Sequence, residues 1–414
     1  MSSLQPVRGT RDLLPEESRR HRRVVETARA IAALYGYEEV STPIFEFTEV
    51  FRRTLGDTSD IVTKEMYTFE DRGGEQLTLR PEATAGIMRA LISGGLAQHL
   101  PLKFFCAGPM FRYERPQKGR YRQFHQIDIE LLGVPDPLGD VEVIAAGAHI
   151  LEALGVLDKT TLELNTLGDT ESRAAYRAAL VGYLGKHVDK LSADSRARLE
   201  RNPLRVLDSK DAADKRIVAD APVFFDYLND ASRSFFAKVT SALEATGIDY
   251  ALNPRIVRGL DYYCHTVFEF TTNELGAQGA VIAGGRYDGL AETMGGPPTA
   301  SVGWAGGIER LAMLAGEAPL STRPIAVIPV GAAAESAALR IARDLRHRGL
   351  AVELGFHGNL SRRMKRANKV GARIAVLLGE DELKRKVGSL RDLDTGAQSE
   401  VALDSLVDRL AAER

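Results

Sequence analysis

The chain has 414 residues, of which 44% are hydrophobic and 27% are charged, and its formal net charge at pH 7 is -2. This composition is typical of a globular enzyme, and the length predicts about two or three domains. The nearly balanced charge argues against a protein coated in basic residues, although it permits local basic faces. No apolar run approaches the roughly 20 residues that cross a bilayer, so we expect no membrane partner.

The N-terminal segment and the cysteine content indicate where the protein is located and whether it has disulfides or a zinc site. The first twelve residues lack the apolar core of a secretory signal, so the expected location is the cytoplasm. The two cysteines, Cys106 and Cys264, cannot provide a disulfide framework. No Cys/His cluster has the spacing of a zinc site, and we therefore predict no tightly bound metal.

The first third of the chain is predicted to mix helices with short strands. Apolar residues recur at three- and four-residue steps after Pro15, which predicts a helix that ends at Gly36. This helix contains the first of three basic runs, Arg19–Arg23, and the simplest interpretation of that run is a solvated helix face. The segments predicted to follow are an extended stretch at 37–46, a hairpin made of 66–70 and 76–79, and a helix after Pro81.

Residues 111–130 form the second basic run and are the most informative stretch. They contain five arginine or lysine residues around a turn at Pro116–Gly119. The flanking segments, Cys106–Glu114 and Arg122–Leu132, alternate like strands. Such alternation places polar residues and one aromatic ring on a single face, which can line a binding site for a polyphosphate. The members of this face are Phe124, Gln126, Asp128 and Glu130. A solvated hairpin without function is the alternative.

The middle of the chain is predicted to be a β-rich body that a helical segment interrupts. Asp140 is predicted to cap a helix that Gly155 ends. The composition between Thr170 and Gly247 predicts an all-helical insertion. The strands predicted beyond the insertion are Arg255–Val257 and Val267–Thr272, then a glycine-dense stretch at Gly284–Gly289 and a strand that enters a helix within Ser301–Leu314.

A linker-like segment, Gly316–Pro324, is the predicted domain boundary. Beyond it, apolar strand patterns alternate with helical patterns, which predicts a small α/β domain. This domain contains the third basic run, Ser361–Lys369, on a predicted helix.

Neither a P-loop nor a dinucleotide-binding Gly-x-Gly-x-x-Gly is present in the sequence. If the protein binds a nucleotide, arginines are the remaining candidates, because a planar guanidinium matches two phosphate oxygens and remains charged. Four arginines lie beside glycine or aromatic residues in separate segments, and a fold that joins those segments would form a tetra-arginine cluster. They are Arg112, Arg120, Arg258 and Arg310.

The chain resembles the histidyl-tRNA synthetase family of class II aminoacyl-tRNA synthetases, nearly from end to end. The stretches that carry the resemblance are Arg8–Asp12, the first helix with the strand through Pro43 (motif 1), Phe111–Glu130 (motif 2), Arg258–Tyr263, Gly284–Leu290 and Gly303–Leu311 (motif 3). Class I signature sequences are absent. The resemblance implies an α+β fold: an antiparallel-sheet class II catalytic domain at 1–320, with a helical insertion at about 170–250, plus a C-terminal α/β anticodon-binding domain at 324–414.

The resemblance also implies the site residues. Positions that match the family's histidine-binding residues are Glu82, Thr84, Arg112, Gln126, Glu130, Arg258, Tyr262 and Tyr263. Positions that match its ATP-binding residues are Arg112, Arg120, Phe124 and Arg310. Arg112 and Arg258 are the predicted catalytic residues, flanking the α-phosphate. We expect Glu82, Thr84 and Gln126 to hold the α-ammonium of histidine, and Glu130 and Tyr263 to contact the imidazole.

The function implied is histidine–tRNA ligation: L-histidine reacts with ATP, accompanied by Mg²⁺, and the histidyl group passes to the 3′ end of tRNA(His). The implied partners are L-histidine, ATP, tRNA(His) and a second copy of the chain in a homodimer, with no organic cofactor. The alternative is a catalytically silent paralogue that regulates ATP phosphoribosyltransferase. That paralogue lacks an anticodon-binding domain, which Arg323–Arg414 supplies here.

Departures from the family pattern include two adjacent positions and one position of the polar strand face. Cys264 and His265 follow Tyr263 where many relatives have other residues; adjacent strand residues point to opposite faces, so a metal or reactive pair is the less favoured interpretation. Asp128 replaces a glycine common in bacterial relatives, which leaves details of tRNA discrimination open.

Overall fold

The structure is a computed structural model that describes residues 4–56, 59, 61–116, 119–207, 209, 211–256, 262–276, 279–318 and 322–412. The chain divides into two compact units, Met1–Ala318 and Pro319–Arg414. Within the described residues, no helix combines the length and the apolar character that crossing a membrane requires.

The first unit combines helices with strands. Its strands, β1 to β11 in chain order, are Glu38–Glu39, Phe45–Phe47, Tyr67–Glu70, Gln76–Leu79, Leu102–Phe111, Gln123–Leu132, Thr161–Thr166, Ala251–Leu252, Cys264–Thr271, Ala280–Arg286 and Ser301–Gly307. Its α-helices, α1 to α10, are Pro15–Leu34, Thr48–Leu55, Thr84–Ser93, Leu138–Ala153, Thr170–Gly185, Ala193–Arg201, Ala212–Ala219, Asp230–Ala245, Leu290–Thr293 and Ile308–Ala315. Short 3₁₀ segments are Leu96–His99, Leu157–Lys159, Val188–Lys190, Pro203–Val206 and Phe224–Tyr227, and Ile61–Glu65 forms a π-helical turn.

The described residues of the first unit form an eight-stranded sheet in the order β1-β5-β6-β11-β10-β9-β7-β8. Its central strands are antiparallel, whereas β1 pairs with β5 and β7 pairs with β8 in parallel. The antiparallel ladder places β6 between β5 and β11 with Glu130 opposite both Phe104 and Gly303. This architecture agrees with the expected α+β fold built on an antiparallel sheet.

Strand β6 explains how one face of this sheet becomes a core and the other a site. Ile127, Ile129 and Leu131 are buried in an apolar cluster with helices α1, α4 and α10. Because side chains alternate along a strand, the intervening residues Gln126, Asp128 and Glu130 lie on the opposite face. Burial of the apolar set fixes the register, since a one-residue slip would exchange the two faces.

A buried ion pair joins β10 to α4. Arg286 and Asp140 are both fully buried, and the guanidinium also donates to the carbonyl oxygen of Val134 at 3.0 Å. The prediction that Asp140 caps α4 is wrong: its carboxylate lies within the helix and binds Arg286, and Asp136 instead accepts the N–H of Leu138 at 2.9 Å. A carboxylate that neutralises a buried arginine is not free to cap a helix.

Helices α5 to α8 lie between β7 and β8, as the sequence predicted for a helical insertion. Each of these four helices begins with a side chain that accepts a backbone N–H: Asp169 for α5, Ser192 for α6, Asp211 for α7 and Asn229 for α8. The strand predicted at Arg255–Val257 is wrong at Arg255, which lies in a turn; Val257 lies outside the described residues.

A separate three-stranded antiparallel sheet in the order β2-β4-β3 precedes α3. In its ladder, Leu77 is opposite both Phe47 and Phe69. Phe47 and Phe69 are 56% and 44% exposed, so this row presents apolar rings to solvent. The same sheet leads the chain into Arg80–Glu82 at the start of the site.

The second unit is an α/β domain. Its strands, β12 to β16, are Ile325–Pro329, Val352–Leu354, Ile374–Leu378, Val387–Asp392 and Gln398–Ala402, and its helices, α11 to α14, are Glu335–His347, Leu360–Lys369, Glu380–Lys384 and Leu403–Ala412. The sheet order is β13-β12-β14-β15-β16, parallel through β14 and antiparallel beyond it. Helix α12 carries the third basic run, with only Ala367 buried.

Candidate active site

A cavity of about 320 Å³ opens on the polar face of the large sheet. Strands β6, β10 and β11 form its floor, the start of α3 and the tyrosine segment before β9 form one end, and the β5–β6 hairpin forms the other. Its polar and aromatic wall residues include Glu82, Thr84, Arg112, Glu114, Arg120, Phe124, Gln126, Tyr262, Tyr263, Tyr287, Glu309 and Arg310. Nine of the predicted positions are therefore brought together from segments that are far apart in the chain.

Glu82 lies at the N-terminus of α3 and is 4% exposed. Its carboxylate accepts the N–H groups of Thr84 at 2.7 Å and Ala85 at 2.8 Å, donors that the first helical turn would otherwise leave unpaired. Burial raises the pKa of Glu82, and these hydrogen bonds together with the nearby Arg112 oppose that rise. The carboxylate is thus rigidly held at the cavity wall.

Gln126 presents a buried acceptor to the cavity. Its Oε1 is shielded from solvent and has no hydrogen-bond partner among the described residues. A buried amide oxygen without a partner costs about 1–3 kcal/mol, so its presence calls for an explanation such as a ligand donor. The side chain lies on the same face of β6 as Glu130, which is four residues further along the strand.

Glu130 lies directly behind the wall and is 1% exposed. It accepts hydrogen bonds from the Thr84 hydroxyl at 2.5 Å and from the Tyr287 hydroxyl. Burial raises the pKa of Glu130 to about 8, although both hydrogen bonds favour the ionised form. A Cβ atom on Gly303 would meet the Glu130 carboxylate at 1.8 Å, so glycine at position 303 leaves this carboxylate its space.

Three tyrosines enclose this end of the cavity. The rings of Tyr262 and Tyr263 have centroids 4.6 Å apart, and Tyr262 lies edge-on to Tyr287 at 5.6 Å. Burial raises the pKa values of Tyr262 and Tyr287 well above the ordinary value, so both phenols remain neutral donors. Tyr287 was not among the predicted site residues; it belongs to the glycine-dense stretch Gly284–Gly289, which was the available signal.

Arg112 lies where the two ends of the cavity meet. Its Nε donates to the carbonyl oxygen of Pro81 at 2.8 Å, and its guanidinium carbon lies 5.2 Å from the ring centroid of Phe124. The backbone N–H of Arg112 also pairs with the carbonyl oxygen of Arg122 across the hairpin at 2.9 Å. These contacts hold the guanidinium over the face of the Phe124 ring. The quadrupole of that ring attracts the positive charge of Arg112.

Two further arginines complete the cationic end. A guanidinium nitrogen of Arg120 lies 2.6 Å from a carboxylate oxygen of Glu114. Arg310 lies in the first turn of α10. Burial lowers the pKa of Arg310, and the positive charge of Arg120 lowers it further. Two guanidinium groups that repel each other in a shared wall form a site for a multiply charged anion.

Arg258, the fourth predicted arginine, lies outside the described residues, together with Gly259, Leu260 and Asp261. Its predicted role therefore stays a prediction. Within the hairpin, Gln117 and Lys118 also lie outside the described residues.

The N-terminal segment packs against the hairpin, which explains why its sequence belongs to the family pattern. The carbonyl oxygen of Gly9 accepts the N–H of Arg122 at 2.7 Å, and the guanidinium of Arg11 lies 4.3 Å from the Tyr121 ring centroid. Gly9 adopts a φ of 87°, and a Cβ there would meet the Arg122 side chain at 2.8 Å. This segment therefore supports the cationic end from outside.

Asp128 is a buried carboxylate that the predictions placed on the site face without a role. It is 1% exposed, and within the part of the chain that the structure describes its Oδ2 has no hydrogen-bond partner. Burial raises the pKa of Asp128 well above its ordinary value, and the neighbouring Glu130 and Glu82 raise it further.

Cys264 is a thiol whose pKa burial raises to about 12, so it is not a reactive nucleophile.

Comparison with known proteins identifies the family that has this arrangement. The family model described as histidyl-tRNA synthetase matches residues 9–311, and the model described as anticodon binding domain matches residues 324–413. The chain belongs to the histidyl-tRNA synthetase family. Its relatives include the histidine–tRNA ligases of Gluconacetobacter diazotrophicus, 60% identical over 99% of both chains, and of Rhodospirillum rubrum, 61% identical over 99% of both chains.

Solved structures agree with this family membership. The structure of the apo histidyl-tRNA synthetase of S. aureus is 33% identical, has a TM-score of 0.83 and covers 99% of this chain and all of its own. Together with the full-length curated relatives, this match favours the synthetase over the regulatory paralogue. It also confirms the expected fold of a class II catalytic domain followed by an anticodon-binding domain.

Proposed function

We propose that this protein is a histidine–tRNA ligase that activates L-histidine with ATP and transfers the histidyl group to tRNA(His). One observation carries the proposal: a single cavity has acidic and phenolic groups at one end and arginines with an aromatic ring at the other. A short amino acid fits the first end and a polyphosphate the second, with their reactive atoms meeting near Arg112.

At the amino-acid end, Glu82, Thr84 and Gln126 are the proposed ligands of the α-ammonium. An ammonium that leaves water needs a carboxylate and further acceptors, since a buried unpaired charge costs several kcal/mol. The fixed carboxylate of Glu82 and the unpartnered Oε1 of Gln126 support this role.

The imidazole is proposed to lie between the carboxylate of Glu130 and the phenols of Tyr262 and Tyr263. A ring with two polar nitrogens can pair with an acceptor on one edge and a hydroxyl on the other, whereas an isostere without them leaves buried groups unpaired. Loss of such pairing accounts for discrimination of roughly 10⁴-fold or more in sites of this kind. Tyr287, which donates to Glu130, positions that carboxylate.

At the ATP end, we assign Arg112 and Arg258 to the α-phosphate, Arg120 and Arg310 to the terminal phosphates and Phe124 to the adenine ring. Support comes from the common wall that Arg112, Arg120 and Arg310 share with Phe124. Guanidinium groups bind phosphate oxygens in pairs and keep their charge at any physiological pH.

In the first step, a carboxylate oxygen of histidine attacks the α-phosphorus of ATP. The new bond joins that oxygen to phosphorus, the bond from phosphorus to the bridging oxygen breaks, and pyrophosphate departs with its electron pair. The attacking carboxylate is already an anion, so no general base is required. Catalysis is then positioning together with electrostatic stabilisation of the phosphoryl oxygens, to which Arg112 and Arg258 contribute.

In the second step, a ribose hydroxyl of the 3′-terminal adenosine attacks the histidyl carbonyl and AMP departs. Mg²⁺ is proposed to accompany ATP and offset its charge; no organic cofactor takes part. The second unit, with its basic helix α12, is the proposed contact for the anticodon end of the tRNA, where Lys and Arg neutralise phosphates. The proposed location is the cytoplasm.

A homodimer is part of the proposal. The exposed rings of Phe45, Phe47 and Phe69 on the β2-β4-β3 sheet form an apolar row of the kind that proteins cover with a partner. Sedimentation of the Phe47→Asp variant should show monomers if this sheet is the dimer surface. Unchanged dimers would exclude it.

The proposal is tested by exchange of labelled pyrophosphate into ATP, measured without tRNA against each of the twenty amino acids. Exchange that depends on histidine alone is expected. No exchange with histidine would reject the ligase and favour the silent regulatory paralogue, while exchange with another amino acid would reject the assignment of the imidazole end.

A further inference from the structure

A cluster of two histidines and a glutamate lies at the edge of the cavity, whose wall includes Glu309, and nothing in the proposed reaction uses the cluster as a unit. One ligating atom from each of His21, His125 and Glu309 lies within 4.8 Å of the other two. The three residues come from α1, β6 and α10. His21 is the central residue of the first basic run. Unlike its charged neighbours in that run, its side chain is buried, at 8% exposure.

His21 supplies the most telling atom. Its Nε2 is shielded from solvent, and no hydrogen-bond partner for it is found in the described ranges of the chain. A buried imidazole nitrogen normally has a partner, and where a protein supplies none, a bound ion or water is a common reason. The His21 ring is edge-on to His125, with centroids 5.4 Å apart, so both imidazoles converge on one region.

Glu309 holds His125 in place. Its two oxygens accept from the backbone N–H of His125 at 3.0 Å and contact the Nδ1 of the same residue at 2.8 Å. Glu309 is 4% exposed. Burial alone would raise the pKa of Glu309, but the hydrogen bonds from His125 outweigh it and the pKa is lowered, which leaves a carboxylate.

The charges around the cluster are compatible with a cation. The buried imidazole of His21 lies close to a second imidazole and a carboxylate, and a neutral ring nitrogen is the form that ligates metals. The other charged groups that act on His21 are Arg11 and Glu17, and these form an ion pair with each other at 2.6 Å. Their charges offset, so Glu309, which is already in contact with His125, is the acidic group that the cluster itself contains.

We propose that His21, His125 and Glu309 bind one Zn²⁺ ion, which joins α1 to β6 and α10. Two imidazoles and one carboxylate are a known zinc ligand set that leaves a further position for water. Nitrogen ligands also select zinc over Mg²⁺, which prefers oxygen. With bonds of about 2.0–2.2 Å, ligand atoms lie ~3.3 Å apart, so the widest pair must close by at most about 1.5 Å.

The site adjoins the ATP end of the cavity, whose wall includes Glu309 but neither His21 nor His125. Glu309 precedes Arg310 in the first turn of α10, and His125 lies between Phe124 and Gln126 in β6. The ion would therefore hold α10 and β6 in place next to the cavity, which is a structural role. Adenylate chemistry does not require it.

The test is a titration of the chelator-treated, full-length protein with Co²⁺, which replaces Zn²⁺ in such sites and absorbs visible light. The wild-type protein should show the d–d bands of a bound ion, with one ion per chain, and Zn²⁺ should displace it. His21→Ala should weaken Co²⁺ binding by at least about tenfold, since even the loss of a group that only orients a ligand costs 10–100-fold. His149→Ala, which removes a half-buried histidine of α4 near Tyr35, should leave the bands unchanged.

A second variant gives a positive signal. His21→Cys should restore binding and add a thiolate-to-cobalt charge-transfer band in the near ultraviolet. Histidine-dependent pyrophosphate exchange by His21→Ala, measured with Mg²⁺ alone, should stay within about threefold of wild type and so report that the variant is folded. Absence of d–d bands from the wild type, equal affinity in His21→Ala, or a bound ion in His21→Cys without the charge-transfer band would each overturn the proposal.

Discussion

Gln126 shows how a single buried atom marks a ligand position. Its Oε1 has no hydrogen-bond partner in the described part of the chain, so this atom adds little to stability before histidine binds. Gln126→Leu should therefore leave the free energy of unfolding unchanged or slightly raised. The KM for histidine should rise about tenfold or more, since an unmade hydrogen bond to a charged group is worth ~1.5–3 kcal/mol.

The control for this prediction is Gln123→Leu, which changes an exposed glutamine of the same strand. Urea unfolding and pyrophosphate exchange, measured on both variants, separate stability from binding. An unchanged KM in Gln126→Leu would remove Gln126 from the ammonium site.

Glu130 predicts a pH dependence of stability. Its pKa is raised to about 8 in the folded protein, against about 4.3 in an unfolded chain. Between these pH values the folded state keeps a proton that the unfolded state has lost. The contribution of Glu130 to the free energy of unfolding is therefore largest below pH ~4.3, and it falls as the pH rises to about 8. The loss is at most about 1.4 kcal/mol per pH unit.

Glu130→Gln should flatten this fall. Urea-unfolding midpoints of the first unit, measured without ligands at pH 5.5 and 7.5, should drop less in the variant than in wild type. An equal drop in both proteins would mean that Glu130 is ionised throughout this range.

At this scale, the sequence predicted which strand face is polar but not how the polar groups pair. Glu130 and Tyr287 are 157 residues apart, and only the ladder β6-β11-β10 brings them together. The His21–His125–Glu309 cluster was not predicted for the same reason, because metal-site spacing in a sequence reveals only ligands from neighbouring positions. The alternation of β6, which is local, was fully predictable.

The elements around the site depend on glycine where strands carry large polar groups. Gly303→Ala should abolish histidine-dependent exchange and lower the melting temperature by several degrees, because its Cβ would lie 1.8 Å from the Glu130 carboxylate and 2.5 Å from the carbonyl oxygen of Ile129. Backbone atoms of a central strand cannot move aside cheaply.

Gly289→Ala is the matched control, since a Cβ there meets nothing within 4 Å. Exchange assays and thermal unfolding of the two variants should differ sharply. Wild-type exchange by Gly303→Ala would show that Glu130 can move without consequence.

The limits of prediction at the element scale have physical causes. Strong periodicity gave α1, β6 and α12 close to their observed bounds. Strands β15 and β16 were not predicted, because β16 is an exposed edge strand with few apolar residues to alternate. Asp140 was wrongly taken as a cap, because nothing local indicates that a buried arginine 146 residues away needs its carboxylate.

The two compact units imply a division of labour across the whole molecule. A chain that ends at Ala318 keeps every described wall residue of the cavity, so histidine-dependent exchange should remain within about tenfold of the full chain. Aminoacylation of tRNA(His) should fall at least about 100-fold in kcat/KM, because the proposed anticodon contacts are lost. Equal loss of both activities would contradict this division.

The central claim is that the arginines of this cavity stabilise formation of histidyl-adenylate. The direct measurement is single-turnover conversion of ATP labelled at the α-phosphate, with L-histidine and Mg²⁺ and without tRNA. Arg112→Ala removes a cavity guanidinium, whereas Arg115→Ala removes an exposed one from the same hairpin that does not line the cavity.

We predict that wild type and Arg115→Ala form histidyl-adenylate at rates within a few fold of each other. Arg112→Ala should be at least about 100-fold slower, which corresponds to ~2.7 kcal/mol of lost transition-state stabilisation. A near-wild-type rate for Arg112→Ala, in a protein that still binds histidine, would contradict the account.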